Sequence, residues 1–205
     1  AIGYAAMGDV ASTSDADGTI AVGYYAANKI TSGIGNVAVG SGSLAVNATS
    51  DFNVAVGTNA LSKLTNDGAT RTTAVGYHAG FKVTTGVDNT LIGAYTGTNL
   101  TTGKTNVALG TLAGNSMILT SGSVYIGYGA GADAAAGNMN IGIGHGTFNG
   151  GTVTGDNNIA IGVYAGNAIT TIKSNDKIKI ITIDKYIGSF IIVSNIIWLS
   201  ISIII

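Results

Sequence analysis

The stretch N-V-A-V-G at residues 36–40 recurs at 53–57 and, as N-V-A-L-G, at 106–110. Variants such as N-T-L-I-G at 89–93 and N-I-A-I-G at 158–162 extend it along most of the 205-residue chain. Aligned on its glycine, the unit occurs ten times, at Gly3, Gly23, Gly40, Gly57, Gly76, Gly93, Gly110, Gly127, Gly144 and Gly162, and successive glycines are 17 to 20 residues apart. A period this short cannot hold a βαβ unit, which needs ~30 residues. It can hold one coil of a solenoid, in which each repeat buries its apolar side against its neighbours.

The columns of the alignment carry a strand signature. The residue before the glycine is Ile, Val or Leu in every copy: Val39, Val56, Val75, Ile92, Leu109, Ile126, Ile143 and Ile161, preceded by Ile2 and Val22. The residue two places earlier is β-branched in all nine complete copies, with Ala between the two in six of them. Side chains two apart on a strand share a face, and the residue between them lies on the other. The Val/Ile pair is therefore expected to line a narrow core. The flat Ala face between is expected to pack against another chain. Asn precedes the strand in six of nine copies (Asn36, Asn53, Asn89, Asn106, Asn140 and Asn158), where it can hydrogen-bond from coil to coil or close a turn. A second apolar column, including Leu64, Val83, Leu100 and Met117, falls seven places after the glycine. Gly33, Gly86, Gly103, Gly137 and Gly155 mark a turn seven places before the next. One period thus reads strand, bend at glycine, short strand, turn. The ten bend glycines are the repeat turn, with Gly40, Gly57, Gly76, Gly93, Gly110, Gly127, Gly144 and Gly162 opening its best copies.

The expected fold is all-β: a parallel β-solenoid, or β-roll, of about ten coils of ~17 residues. At ~4.8 Å per coil it makes a rod roughly 45–50 Å long. So thin a core leaves an isolated chain close to balance against the entropy of ordering it. A homo-oligomer is expected, most simply a trimer.

Composition excludes several classes. Gly is 32 of 205 residues, Pro and Cys are absent, charged residues are 9% and the net charge is −1. The aliphatic content is too high and the charge too low for disorder, and glycine does not recur every third residue as in collagen. No thiol is present for a disulfide or thiolate metal site. One Arg and eight Lys are scattered, so nucleic acid is not an expected partner. Because it begins at Ala1 inside a repeat, the chain reads as processed or partial.

The N-V-A-V-G and N-I-A-I-G units, with a small residue three places after each glycine, resemble the head repeats of trimeric autotransporter adhesins (YadA-like) and similar repeats of bacteriophage tail fibres. The likeness covers about residues 1–166. It implies a left-handed parallel β-roll wound as a trimer. The period here is longer than in adhesin heads and closer to the T-T-G-containing repeats of fibre proteins.

The array occupies residues 1–167, and residues 168–205 differ from it, with fifteen Ile. Residues 177–187 alternate polar and apolar, as a strand with one wet face does. Residues 186–205 carry no charge, a length that could cross a bilayer. Their Ser, Asn and β-branched content points instead to a β cap or interchain contact, with a non-native tail as a further reading.

No constellation of catalytic residues stands out. His78 and His145 lie at bends several coils apart, without partners for a metal site or a general base. The Asp residues read as turn formers, and the Gly-rich runs at 127–131 and 142–146 do not open helices. No enzyme activity and no cofactor or metal is expected. Tyr follows the glycine by one or two places repeatedly, and Tyr77, Tyr95, Tyr128 and Tyr164 are expected to form a stripe along one edge. Such a stripe serves either ladder packing or the binding of a glycan or partner. The function expected is a structural fibre or spike of the phage tail-fibre type, a rigid rod for attachment to a host or surface. Its place would be extracellular, in a virion fibre or on a bacterial cell surface. The head of a bacterial adhesin and a filament joined end to end are the alternatives.

Overall fold

A computed structural model of the chain describes residues 1–8, 16–46, 49–66, 68–150 and 153–167, together with the backbones of two strands, Ile178–Ile181 and Phe190–Val193. Nine three-residue strands come from the N-V-A-V-G columns: β1 (Ile20–Val22), β2 (Val37–Val39), β4 (Val54–Val56), β6 (Thr73–Val75), β7 (Thr90–Ile92), β8 (Val107–Leu109), β9 (Val124–Ile126), β10 (Ile141–Ile143) and β11 (Ile159–Ile161). Each pairs in parallel with the strand of the next repeat, without slippage: Val37 lies beside Val54, Ala38 beside Ala55, Val39 beside Val56. Ile2 adds a bridge to Val22. The molecule is an all-β parallel solenoid, and these nine strands enclose about eight turns, against the ten coils that ten glycines suggested. A minor sheet pairs β3 (Ser50–Asp51) with β5 (Gly68–Ala69). Beyond β11, β12 (Ile178–Ile181) continues the parallel ladder and β13 (Phe190–Val193) turns back antiparallel on it. The rest of the Ile-rich segment, where the readings of cap, bilayer span and non-native tail were placed, lies outside the described residues.

The glycine that ends each strand is required by close approach. Gly40, Gly57, Gly110 and Gly127 have φ of 128°, 129°, 126° and 130°, a region that only glycine enters without strain. A Cβ on Gly40 would lie 2.6 Å from the carbonyl carbon of Gly57 in the next coil, and one on Gly110 would lie 2.6 Å from the carbonyl oxygen of Gly127. The bend after the glycine then alternates in hand. In the Gly93 coil, Tyr95 (φ 58°) and Gly97 (φ 55°) are left-handed. The Tyr95 N–H reaches back to Tyr77 O (2.8 Å), while the Gly97 N–H reaches forward to Ala113 O (3.0 Å). The non-strand half of each coil is thereby hydrogen-bonded to both neighbours, which offsets a left-handed cost of roughly 1 kcal/mol per non-glycine residue.

The structure reverses the expected assignment of the strand faces. Ala21, Ala38, Ala55, Ala74, Ala108 and Ala160, the central residues, are the ones buried in the interior. The column proposed as core stands on the outer face: Val39, Val56, Val75 and Ile126 are half-buried, and Ile92, Leu109, Ile143 and Ile161 keep 36, 42, 36 and 40% exposure. The reason is volume. Leu64, Val83, Leu100 and Met117 fill the thin interior from the opposite wall, as expected of that column, and leave room for a methyl group only.

Departures from Ala in the central column are matched across the core. Leu91 stands where Gly80 and Gly97 leave space, and a Cβ on either would lie 2.9 Å from a Leu91 methyl. Tyr125 is accommodated by Gly131 and Gly142. In the next coil Gly142 takes the central position and Phe148 supplies the bulk, its ring meeting that of Tyr125 edge-on at 6.5 Å. The Tyr125 hydroxyl lies beside Ser123 and Asn140, and burial pushes its pKa up to about 12, with those two side chains opposing the shift.

A buried polar ladder accompanies the strands. Asn89 Oδ1 accepts from both the backbone N–H and the side-chain Nδ2 of Asn106, each at 3.0 Å. Asn106 Nδ2 also donates to Thr120 O (2.6 Å), and its Oδ1 accepts from Ser123 N (3.0 Å). The same linkage joins Asn36 to Asn53 and Asn140 to Asn158, while the hydroxyls of Thr19, Thr72 and Ser123 accept the corresponding N–H in other coils. These asparagines both stack from coil to coil and tie down the next turn, the two roles left open by the sequence.

Three outcomes test this account. Gly110→Ala is expected to destabilise the fold by roughly 3 kcal/mol or more, read as a lowered denaturation midpoint at unchanged slope. Asn106→Ala strands the Ser123 N–H and the Thr120 carbonyl, and should cost about 2–4 kcal/mol in the same assay. The raised Tyr125 pKa means that its contribution is whole below pH ~10, the unfolded value, and fades as pH rises through about 12. Denaturation at pH 9 and pH 12 should show a loss in the wild type that is smaller in Tyr125→Phe.

Candidate functional site

The exposed chemistry of this molecule gathers at the bend after each glycine. The residue following it is exposed or half-buried in every coil, and so is the second except at Gly129 and Gly146, and the backbone sets how they meet. The N–H of the second residue in one coil donates to the carbonyl of the first residue in the coil before it, as from Tyr25 to Tyr4 (3.0 Å), Tyr95 to Tyr77 (2.8 Å) and Tyr164 to His145 (2.8 Å). These rungs bring the corresponding rings together at 5.9, 5.1 and 5.0 Å.

The stripe expected from the tyrosines is consequently broken into three clusters. Tyr4, Tyr24 and Tyr25 form one, with Tyr4 and Tyr24 stacked at 5.5 Å. Tyr77 and Tyr95 belong to a second, and Tyr128 and Tyr164 to a third. Ser41, Gly42, Thr58 and Asn59 separate the first from the second, and Thr111 and Leu112 separate the second from the third. Of the four tyrosines singled out, Tyr77 and Tyr95 touch directly, Tyr128 and Tyr164 meet only through a shared neighbour, and the two pairs do not meet.

The two histidines, expected as bend residues facing solvent, are members of these clusters. His145 is exposed, stacks on Tyr128 at 5.3 Å and meets Tyr164 edge-on. His78 is half-buried, lying 4.2 Å from Tyr77, 5.7 Å from Tyr95 and 4.8 Å from Phe81, with which it stacks. Asn59 presents its side-chain amide to His78 Nε2 at 3.3 Å. Phe81 went unnoticed in the sequence. Its signal is its position five residues after Gly76, in a column otherwise of Gly, Asn, Ser, Thr and Ala. Partial desolvation, and then the neighbouring Tyr77, raise the pKa of the Tyr95 phenol.

Apart from Asp133, the acidic residues described lie elsewhere. Asp17, Asp51 and Asp156 share one phase, six before a glycine. Asp51 accepts the Ile34 N–H (2.9 Å) and Asp156 accepts that of Asn138 (2.7 Å), so these carboxylates close turns between coils, as read from the sequence. Arg71 and Asp88, on adjacent coils, form a forked ion pair at 2.6 and 2.9 Å that holds the Asp88 carboxyl below its usual range. Among the described residues no group of three His, Cys, Asp or Glu is placed to hold a metal ion, and no helix is long and apolar enough to cross a membrane.

Comparison with protein-family models, with curated proteins and with solved structures finds no match.

Proposed function

We propose that this chain is a segment of a rigid structural fibre or spike, working as a homotrimer outside the cell and giving length and stiffness for attachment. The observation that carries this reading is the outer face of the main sheet. Its two columns, running from Ile20 to Ile159 and from Val22 to Ile161, hold only Val, Ile, Leu and Thr, without a single charge over nine strands. A sheet face meant for water is normally polar, and contiguous apolar patches mark association surfaces. Nine strands at ~4.8 Å make a strip about 38 Å long. Its three-residue strands make it about 10 Å wide at ~3.3 Å per residue, an apolar area of roughly 380 Å², which is the size of patch that marks an association site.

Three such strips meeting about one axis would cover each other and complete the burial that a single coil lacks. The surface expected to associate is thus the Val/Ile columns, with the Ala column committed to the chain's own interior. The resemblance of the repeats to adhesin heads and tail fibres agrees with three chains and with a place in a virion fibre or on a bacterial surface. No catalytic role or cofactor forms part of this reading.

Sedimentation equilibrium should give a particle of three times the 20.3 kDa chain mass, and negative-stain microscopy should show short rods. Val107→Lys combined with Ile143→Lys, on the outer face, should yield monomers that keep their β circular dichroism. A wild-type chain that stays monomeric and dispersed at tens of micromolar would overturn the proposal, and continuous filaments would transfer it to end-to-end assembly.

A further inference from the structure

The second aromatic cluster joins four rings and carries two lysines, Lys63 and Lys82, in the column six residues after the glycine, where the first cluster carries one, Lys29. Phe81, His78, Tyr77 and Tyr95 form an unbroken run of rings, each 4.2 to 5.1 Å from the next, across two coils. Tyr77 and Tyr95 are 47 and 41% exposed, so ring surface is open to solvent. At the far end of the run Lys63 Nζ lies 5.8 Å from the centre of the Phe81 ring. Lys82, next to Phe81 in the chain, is held outward by a bond from its Nζ to Asn99 Oδ1 (2.8 Å). Neither lysine pairs with a carboxylate among the described residues, where Arg71–Asp88 is the ion pair. Asp51 and Asp88 belong to the turn before the strand, where a backbone N–H and Arg71 already occupy them. The third cluster carries the opposite charge in the corresponding column, six residues after its glycine: Asp133 in place of Lys63 and Lys82.

Open aromatic faces suit the C–H faces of a pyranose, amides such as Asn59 suit its hydroxyls, and ammonium groups without a carboxylate partner among the described residues suit a carboxylate. We infer that Tyr77, His78, Phe81 and Tyr95, with Lys63 and Lys82, form a shallow binding site for a carboxylated saccharide. Arrays of rings on successive coils favour a chain of sugars over a single one, because each coil offers a further stacking surface. The biological use of such a site rests on the surface-attachment reading above, but its existence does not depend on oligomeric state.

The test is calorimetric titration of the wild-type chain with a tetrasaccharide of hexuronic acid, with the same tetrasaccharide after its carboxylates are reduced to alcohols, and with inorganic polyphosphate of equal charge. The uronate should bind, the neutral sugar about tenfold more weakly, and polyphosphate not detectably. Tyr95→Ala and Tyr77→Ala should each weaken uronate binding about tenfold, the effect of losing ~1.4 kcal/mol of stacking. Lys63→Met with Lys82→Met should abolish the preference for uronate over neutral sugar. Tyr128→Ala, in the cluster bearing Asp133, should leave uronate binding unchanged. Thermal melts of every variant show that the fold persists. Absence of uronate binding, equal affinity for polyphosphate, or full affinity in Tyr95→Ala would each overturn the inference. Sedimentation of the same samples reports separately on the trimer, so failure of one reading is not mistaken for failure of the other.

Discussion

At the glycine that ends each ladder strand up to β10, the space that a Cβ would occupy is taken by the carbonyl of the coil above. From Gly3 to Gly144 the same contact repeats, and the rest of the architecture depends on it. Only a hydrogen atom fits there, and the φ near 130° belongs to a region that side chains exclude. With that approach allowed, the strands stack in register and the bend can alternate in hand. Its amides then point by turns to the coil before and the coil after. A single bulkier residue in the column would push two coils apart along their whole length, because every rung is shared.

Close stacking of coils also makes the interior thin, and thinness decides what it contains. With Leu, Val and Met entering from one wall, the strand can offer only methyl groups, so the alanines go in and the valines and isoleucines go out. The exchanges at Leu91, Tyr125 and Gly142 obey the same volume rule, with glycine or phenylalanine answering across the core. Polar groups that cannot be left bare in such a space are joined by the asparagine ladder. It satisfies backbone donors at the one place where the strand pattern has not begun and the turn has not ended.

What remains outside follows from these choices. The outer sheet face is apolar and uncharged because its side chains have no room within, and it therefore asks for other chains. The bends carry the variable chemistry, since the first residue of each is exposed or half-buried. Rungs between coils turn tyrosines and histidines that are distant in sequence into neighbouring rings. Rod, interface and recognition surface are in this way three consequences of one seventeen-residue turn repeated.

The period, the strand positions, the parallel register, the bend glycines and the small residue three places beyond each of them are legible in the repeats alone. These are local steric demands, and repetition prints them in columns. It also placed the asparagines and the tyrosine-bearing bends. It could not say which strand face is inside, because a period of two marks two faces without naming them, and the larger side chains pointed to the wrong one. The pairing of Leu91 with Gly97 and of Tyr125 with Gly131 was present in the columns, but it acquires meaning only once both walls are known to face each other. Nor could the sequence show that His78, Phe81 and His145 join the tyrosines, since ring contacts depend on side-chain directions across rungs. Those were decided by the tertiary structure, where the width of the interior and the offset between successive coils are fixed.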